Sequence, residues 1–202
     1  MESELEMREQ WTRFQLEESL KVVVDDVLAV DDIRLVGGLD ISFDKHNDRR
    51  GCAYVTIFDV FAQKVVHEVH AVIELTVPYV SGFLGFREIA LYMPLLEGLK
   101  DTEFYPEALM VDGFGILHHR GLGSASHIGV ALDIPTIGVG KTLLCMDGLD
   151  ESLVKKKFRE ECTRAGDFTL LVGSEPPQKV YGAALKTADN VINPIYVTVG
   201  HK

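Results

Sequence analysis

The order of secondary-structure signals along the chain is the feature that most restricts its fold. Three runs rich in β-branched residues come first, "IRLVGGLDISFD", "GCAYVTIFDV" and "KVVHEVHAVIEL", joined by short polar turns. Such runs predict an antiparallel meander of three strands. A helix over residues 83 to 99, the buried strand "EALMVDGFG", the helix "GSASHIGVALDI" with a Ser cap and the buried strand "PTIGVGKTLL" follow. This order predicts an α/β fold with a mixed β-sheet flanked by helices.

The two ends of the chain complete this arrangement. Residues 3 to 29 are predicted to be helical, with Trp11, Phe14 and Leu20 facing the core. A basic helix over residues 150 to 165 precedes two final strands, "VYGAALKT" and "NPIYVTVG". No repeat or linker interrupts the 202 residues, a length that suits one domain, so we predict a single domain over residues 1 to 202.

Charge and cysteine content narrow the class of protein. The net charge of −11 argues against a generic nucleic-acid coat, because non-specific binding needs Lys and Arg against phosphates. The charge does not exclude a nuclease, because carboxylates can bind divalent cations, and those positive ions then contact the substrate. The three cysteines are widely spaced, which indicates a reduced, intracellular protein in the cytoplasm or nucleus. No apolar stretch is long enough for a membrane span, so no membrane partner is expected.

Three carboxylates occupy positions where an apolar residue would be expected. Asp40 lies within the first strand, Glu88 within an apolar helix face, and Asp112 at the end of "ALMV". A buried carboxylate is costly unless it is paired or bound to metal. Three carboxylates at one sheet edge therefore predict a divalent cation site, and all-oxygen ligands favour Mg²⁺ or Mn²⁺. The alternative is structural: Asp40 and Asp112 would cap turns, and Glu88 would pair with Arg87 or a lysine.

Further polar residues follow other predicted strands. His118 comes six residues after Asp112, beyond a glycine-rich turn, and Lys141 ends the strand "TIGVG". His201 follows the last strand. Ligands of α/β proteins bind outside the carboxyl ends of the strands, so we expect Lys141 and His201 to lie at the same edge as the carboxylates.

Six segments, taken in order, resemble the endonuclease V family: "GLDISF", "PYVSGFLGFRE", "VDGFGILHHRGLGSASHIGV", "PTIGVGKTLL", "YGAALKT" and "PIYVTVGHK". They span residues 36 to 202. The resemblance implies a ribonuclease H-like fold and Mg²⁺-dependent hydrolysis, with Mn²⁺ as a substitute. It implies cleavage at the second phosphodiester on the 3′ side of inosine, leaving a 5′-phosphate and a 3′-hydroxyl. Family members continue past the "GH" with another helix, so we expect that helical segment to be missing from a chain that stops at Lys202.

The resemblance also assigns roles to individual residues. It implies metal binding by Asp40, Glu88 and Asp112, with His201 close to the metals, Lys141 on the phosphate, and His118 as the histidine of the catalytic stretch. Pro78, Tyr79, Val80 and Ser81 match the wedge that fills the gap left by a displaced base. Gly82, Leu84 and Gly113 match the base pocket, which backbone groups largely form. All seven of these loop and pocket residues, together with Lys141, are thus predicted to bind nucleic acid.

The partner implied by the resemblance is inosine-containing RNA, single-stranded or structured, or deoxyinosine in DNA. The form "PYVSGF" is similar to animal members and favours RNA. We expect a monomer. Two alternatives stay open: a non-catalytic protein that binds inosine in RNA, and a ribonuclease H-like nuclease without base specificity.

Overall fold

The computed structural model describes residues 4–47, 49–75, 77 and 80–202. All eight strands join one mixed sheet in the order β3-β2-β1-β4-β5-β8-β7-β6. The strands are β1 Leu35–Phe43, β2 Arg50–Asp59, β3 Lys64–Glu74, β4 Ala108–Asp112, β5 Thr136–Gly140, β6 Phe168–Val172, β7 Val180–Leu185 and β8 Ile195–His201. The helices are α1 Glu4–Ser19, α2 Leu84–Glu97, α3 Ser124–Leu132 and α4 Glu151–Glu161, with a short 3-10 helix at Val30–Asp32.

The predicted α/β architecture is confirmed. β1, β2 and β3 form the antiparallel meander, and β4 and β5 run parallel to β1. β8 then runs antiparallel to β5, and β7 and β6 continue the sheet by antiparallel pairing. The parallel neighbours β4 and β5 are joined through α3, as a parallel crossover requires, whereas turns join the antiparallel neighbours β1, β2 and β3.

Helices cover the central part of the sheet on one face. Ile128 of α3 and Tyr92 of α2 pack on Leu39, Val55 and Leu109 in one apolar cluster. A second cluster joins the other end of the sheet to α4, whose Phe158 is 1% exposed. Alternation along each strand places Leu39 and Leu109 in this core, and the neighbouring residue Asp40 outside it.

The N-terminal helix is shorter than predicted. α1 ends at Ser19, and Leu20 is 87% exposed, so the predicted core position of Leu20 is wrong. A run of valines follows, and β-branched residues are poor helix formers, which explains why the helix stops. Phe14 is 39% exposed, and its ring packs edge-on against Phe86. The buried residue of α1 is the polar Gln15.

Two other details of the prediction were wrong. α3 begins after Gly123, with no side-chain cap, so the predicted Ser cap is absent. The strand β6 was not predicted, although Gly166 and Asp167 mark a turn before it; "FTLLV" is a short apolar run of five residues, which its periodicity alone does not identify as a strand. None of the described helices is long and apolar enough to cross a membrane.

Candidate active site and base pocket

Parallel pairing of β1 and β4 brings two of the predicted carboxylates together. Leu39 pairs with Val111 across these strands, so Asp40 and Asp112 stand at the next position of the same ladder. Both point away from the core cluster, and Asp112 is half-exposed. The two carboxylates border one cavity of about 530 Å³.

Glu88 reaches the same cavity from α2. Its side chain is buried, with the residue 6% exposed, and its Oε2 has no hydrogen-bond partner among the residues that the structure describes. Burial, followed by the charges of Asp112 and Asp40, raises the pKa of Glu88 to about 8. Arg87 and a hydrogen bond from Ser124 act in the opposite direction. We call this space, lined by the three carboxylates with Tyr92 and Leu84, the carboxylate cavity.

The residues of the carboxylate cavity fit a divalent cation by their chemistry. All three donors are carboxylate oxygens, the ligands that Mg²⁺ and Mn²⁺ prefer. The unpaired Oε2 of Glu88 is a buried polar atom that a cation would satisfy. Within the described ranges, no three His, Cys, Asp or Glu side chains are already arranged around one ion position.

Lys141 lies at the same edge of the sheet. Val139 of β5 pairs with Asp112, and Lys141 follows two residues later. Its Nζ is 3.6 Å from Oδ2 of Asp112, while the side chain is 84% exposed. The amine is thus tied to the carboxylates by charge and remains free to meet an incoming anion.

The predicted position of His201 is wrong. β8 runs antiparallel to β5, and His201 pairs with Thr136, the first residue of β5. It therefore lies at the opposite edge of the sheet from Asp112. Its Nδ1 accepts a hydrogen bond from the Val23 amide at 3.2 Å, and its Nε2 is 3.6 Å from Asp133. Burial lowers the pKa of His201, and His201 is not among the described residues that line the carboxylate cavity.

A second cavity of about 390 Å³ adjoins the first. It collects the predicted base-pocket residues Gly82, Leu84 and Gly113, together with Ser81 and His118, and we call it the glycine pocket. Leu84 and Gly113 border both cavities. The backbone of Gly82 and Gly113 has positive φ, +80° and +150°, which favours glycine.

The predicted wedge is only partly described. Pro78 and Tyr79 lie outside the described residues. Val80 is 5% exposed, so its side chain faces the protein interior. Ser81 is exposed and borders the glycine pocket. Of the two described wedge residues, Ser81 is therefore the one available to a ligand in this structure.

His118 holds the glycine pocket together and stands apart from the carboxylates. Its Nδ1 accepts the Arg120 amide at 3.2 Å, so its Nε2 carries the proton and donates to the Gly82 carbonyl at 3.1 Å. Burial, then the charge of Arg120, lowers the pKa of His118 to about 4. The imidazole is neutral at physiological pH and acts as a hydrogen-bond donor to backbone.

Four site residues were missed by sequence reasoning. Tyr92 and Arg87 line the carboxylate cavity, and Gln15 lines the glycine pocket. Arg120 also contacts that pocket, through the Gly82 carbonyl. The helical period offered a signal for Tyr92, which is four residues after Glu88 on the same face of α2. Gln15 and Arg120 come from distant segments, and no local pattern joins them.

Comparison with known proteins identifies the family of this chain. A family model described as Endonuclease V matches residues 17–202. Human Endonuclease V is 43% identical over 173 residues, which are 84% of this chain and 60% of that protein. The crystal structure of the catalytic domain of human Endonuclease V has a TM-score of 0.91 and 38% identity, covering 99% of this chain and 83% of that one. This match confirms the ribonuclease H-like fold.

A relative with bound nucleic acid is also similar. The crystal structure of Ciona intestinalis Endonuclease V contains a 24mer DNA with an inosine followed by a ribo-adenosine. It has a TM-score of 0.90 and 30% identity, covering 97% of this chain and 84% of that one. The present chain spans 60% of the length of the human protein, so these comparisons concern the part that the two share.

Proposed function

The chain belongs to the Endonuclease V family, and from that premise we propose that it is a metal-dependent endonuclease that hydrolyses RNA close to inosine. One observation carries this proposal: Leu84 and Gly113 border both the carboxylate cavity and the glycine pocket. A base held in the glycine pocket would leave its own backbone next to the carboxylates. Selection of the base and cleavage of the strand would thereby be coupled in space.

The metal site is the first element of the proposal. Asp40, Glu88 and Asp112 would hold Mg²⁺, with Mn²⁺ as a substitute, and the bound ion would supply an activated water and stabilise the leaving oxygen. Glu88 carries a proton at neutral pH when no ion is present, because its pKa is raised to about 8. It must release this proton to act as a ligand, so ion binding would become tighter as the pH rises.

Lys141 would act on the phosphate. Its exposed amine lies beside Asp112, so it can turn from that carboxylate toward a phosphate bound at the same edge. A fixed positive charge there would stabilise the negative charge that develops on the phosphoryl oxygens in the transition state. This role involves no contact with the base.

The glycine pocket would select the base by hydrogen bonding. Hypoxanthine, the base of inosine, presents an acceptor at its 6-oxo group and a donor at N1, and adenine presents the reverse. Guanine shares both groups and adds a 2-amino group. Backbone groups at Gly82, Leu84 and Gly113 would reject adenine by mismatched polar pairs, and guanine by an unsatisfied or colliding amine.

We further propose the second phosphodiester on the 3′ side of inosine as the cleaved bond, and RNA in the cytoplasm or nucleus as the substrate. The family resemblance supports the position of the cut, and the animal-like "PYVSGF" supports RNA. The inosine-containing DNA bound by the Ciona relative supports recognition of the base. The three cysteines Cys52, Cys145 and Cys162 are all free, which is compatible with a reducing compartment.

The proposal is tested with end-labelled single strands of RNA and DNA that contain inosine, adenosine or guanosine at one position. Each strand is incubated with Mg²⁺, Mn²⁺, Ca²⁺ or EDTA, and the products are separated on a denaturing gel. We expect one product from the inosine RNA, with Mg²⁺ or Mn²⁺ only, and none from Asp112→Asn. Equal cleavage of all three strands would indicate a nuclease without base specificity. Tight binding without any product would indicate a non-catalytic inosine-binding protein.

A further inference from the structure

Three donors converge on the backbone carbonyl of Gly82, at the rim of the glycine pocket. Gln15 Nε2 donates to this oxygen at 3.1 Å, His118 Nε2 at 3.1 Å and the Arg120 guanidinium at 2.7 Å. A carbonyl oxygen has two lone pairs, and one hydrogen-bond partner is enough to satisfy it. This carbonyl therefore has more donors than backbone satisfaction alone requires.

Gln15 stands at the centre of the network. It is 2% exposed, and it is the buried residue of α1. Its amide nitrogen donates to Gly82 and to the Leu122 carbonyl at 3.2 Å, while its Oε1 accepts from Nε of Arg120. A flipped amide would turn its oxygen toward two carbonyls, so the surrounding bonds fix one orientation.

Arg120 makes the network rigid. Its planar guanidinium bonds both Gln15 and Gly82, and its face lies over the Phe83 ring, with Cζ 4.3 Å from the ring centroid. A planar guanidinium that is hydrogen-bonded to two groups and stacked on a ring has little conformational freedom left. The loop between Val80 and Phe83 is thus tied to α1 and to the segment after Asp112.

The carbonyl that receives these bonds belongs to a glycine with φ of +80°. Glycine rotates more freely than any other residue, so the direction of its carbonyl is poorly fixed by its own backbone. Selection between hypoxanthine and guanine depends on the directions of backbone polar groups, and a small misplacement of such a group weakens recognition.

From this geometry we propose that Gln15 is a positioning residue for base selection. With Arg120 it fixes the Gly82 carbonyl, and through it the backbone rim of the glycine pocket. The inference rests on the proposed function, since it concerns how the same pocket distinguishes inosine from guanosine. It also gives α1 a purpose in recognition, because this helix is otherwise polar and joins the fold mainly through Trp11 and Phe14.

The test compares Gln15→Leu with Phe14→Leu. Leucine at position 15 keeps the approximate volume and removes all three hydrogen bonds of the amide. Phe14→Leu is the matched control: it loosens the same helix at its contacts with Phe86 and His127, and it leaves the Gly82 carbonyl untouched. Melting temperature is measured for both variants, so that a loss of helix docking is seen separately from a loss of recognition.

The readout is the dissociation constant for a labelled single-stranded RNA with inosine, and for the same strand with guanosine. We expect Gln15→Leu to bind the inosine strand about tenfold more weakly or worse, with the guanosine strand unchanged, because phosphate contacts dominate binding of the latter. Phe14→Leu is expected to keep the wild-type ratio of the two constants. Gln15→Glu turns a carboxylate oxygen toward two carbonyls, and it should reduce the preference for the inosine strand over the guanosine strand at least as far as Gln15→Leu does.

Two outcomes would overturn the inference in different ways. If the wild type prefers inosine, and Gln15→Leu and Gln15→Glu keep the same ratio as Phe14→Leu, then Gln15 has a structural role only and the proposed function stands. If the wild type itself shows no preference, the proposed function fails and the inference fails with it. If Gln15→Leu does not fold, Arg120→Lys provides the same test on the partner of Gln15. Lysine keeps the positive charge and lacks the planar guanidinium that bonds both Gln15 and Gly82.

Discussion

Nζ of Lys141 lies 3.6 Å from Oδ2 of Asp112, although Asp112 ends β4, Lys141 follows the end of β5, and the lysine side chain is almost fully exposed. Parallel pairing of β4 with β5 produces this contact, since Asp112 pairs with Val139 two residues before the lysine. In the absence of substrate, the amine is a counter-ion for a group that we propose to bind metal. A cation held by Asp112 would neutralise that carboxylate, and the Lys141 amine would then be available to a phosphate.

We therefore expect Lys141→Ala to weaken binding of inosine and guanosine strands alike. Loss of one phosphate contact should lower the salt dependence of binding by about 0.7 in the log–log slope for a single strand. Binding is measured over a range of salt concentrations. Lys156→Ala, which removes an exposed amine from α4, is the control and should leave the slope unchanged. Loss of inosine preference at an unchanged slope would show that Lys141 contacts the base.

Replacement of the strand carboxylates separates cleavage from binding. Asp40→Asn and Asp112→Asn keep the shape of the carboxylate cavity and remove one ligand charge each. We expect no product from either variant at saturating Mg²⁺, with binding of the inosine strand within about tenfold of the wild type, because recognition is made in the other cavity. Cleavage time courses and equilibrium binding check this. Full-rate cleavage by either variant would contradict the metal-site assignment.

The raised pKa of Glu88 predicts a stability that depends on pH. Between its ordinary value of 4.5 and its folded value of about 8, the folded chain holds a proton that the unfolded chain releases. The free energy of unfolding therefore falls as the pH rises through this range. Glu88→Gln carries no such proton, so in EDTA its melting temperature should rise relative to wild type from pH 5 to pH 9, by about 4 °C or more.

The control for this pH effect is Glu97→Gln, at the exposed end of the same helix. The melting temperature of this variant should differ from that of the wild type by the same amount at every pH. Parallel curves for Glu88→Gln as well would mean that Glu88 is ionised when no metal is present. In the wild type, Mg²⁺ should raise the melting temperature more at high pH than at low pH, because binding must displace the proton of Glu88.

Local signals predicted the strands and helices that carry Asp40, Glu88 and Asp112, because each carboxylate interrupts an apolar period that is readable within a few residues. The position of His201 could not be predicted in the same way. The edge of the sheet at which His201 lies depends on whether the last strand runs parallel or antiparallel to β5. That direction is set by the path of the chain through β6 and β7. Missing β6 removed one reversal of direction from the predicted topology.

Gln15 shows a different limit of sequence reasoning. Its neighbours Trp11 and Phe14 carried the helical signal, and nothing in that signal identified the glutamine beside them as a buried residue. Its burial depends on partners at Gly82, Arg120 and Leu122, which are 67 to 107 residues away in sequence. A buried polar residue is stable only once those partners are in place, and no pattern within one helix contains that information.

The last prediction concerns Gly113, which borders both cavities. Its φ is +150°, and an added Cβ would stand 3.0 Å from Cβ of Ser124, the residue whose hydroxyl bonds Glu88. Gly166 is a matched control, since its φ is +92° and a Cβ there would meet nothing within 4 Å. We expect both Ala variants to lose stability from backbone strain, of about 1–3 kcal/mol. Only Gly113→Ala should also displace Ser124, weaken inosine binding and slow cleavage. Melting curves, dissociation constants and cleavage rates of the two variants check this. Equal losses of activity in both variants would show that backbone strain alone is responsible, and that the contact with Ser124 between the two cavities is not.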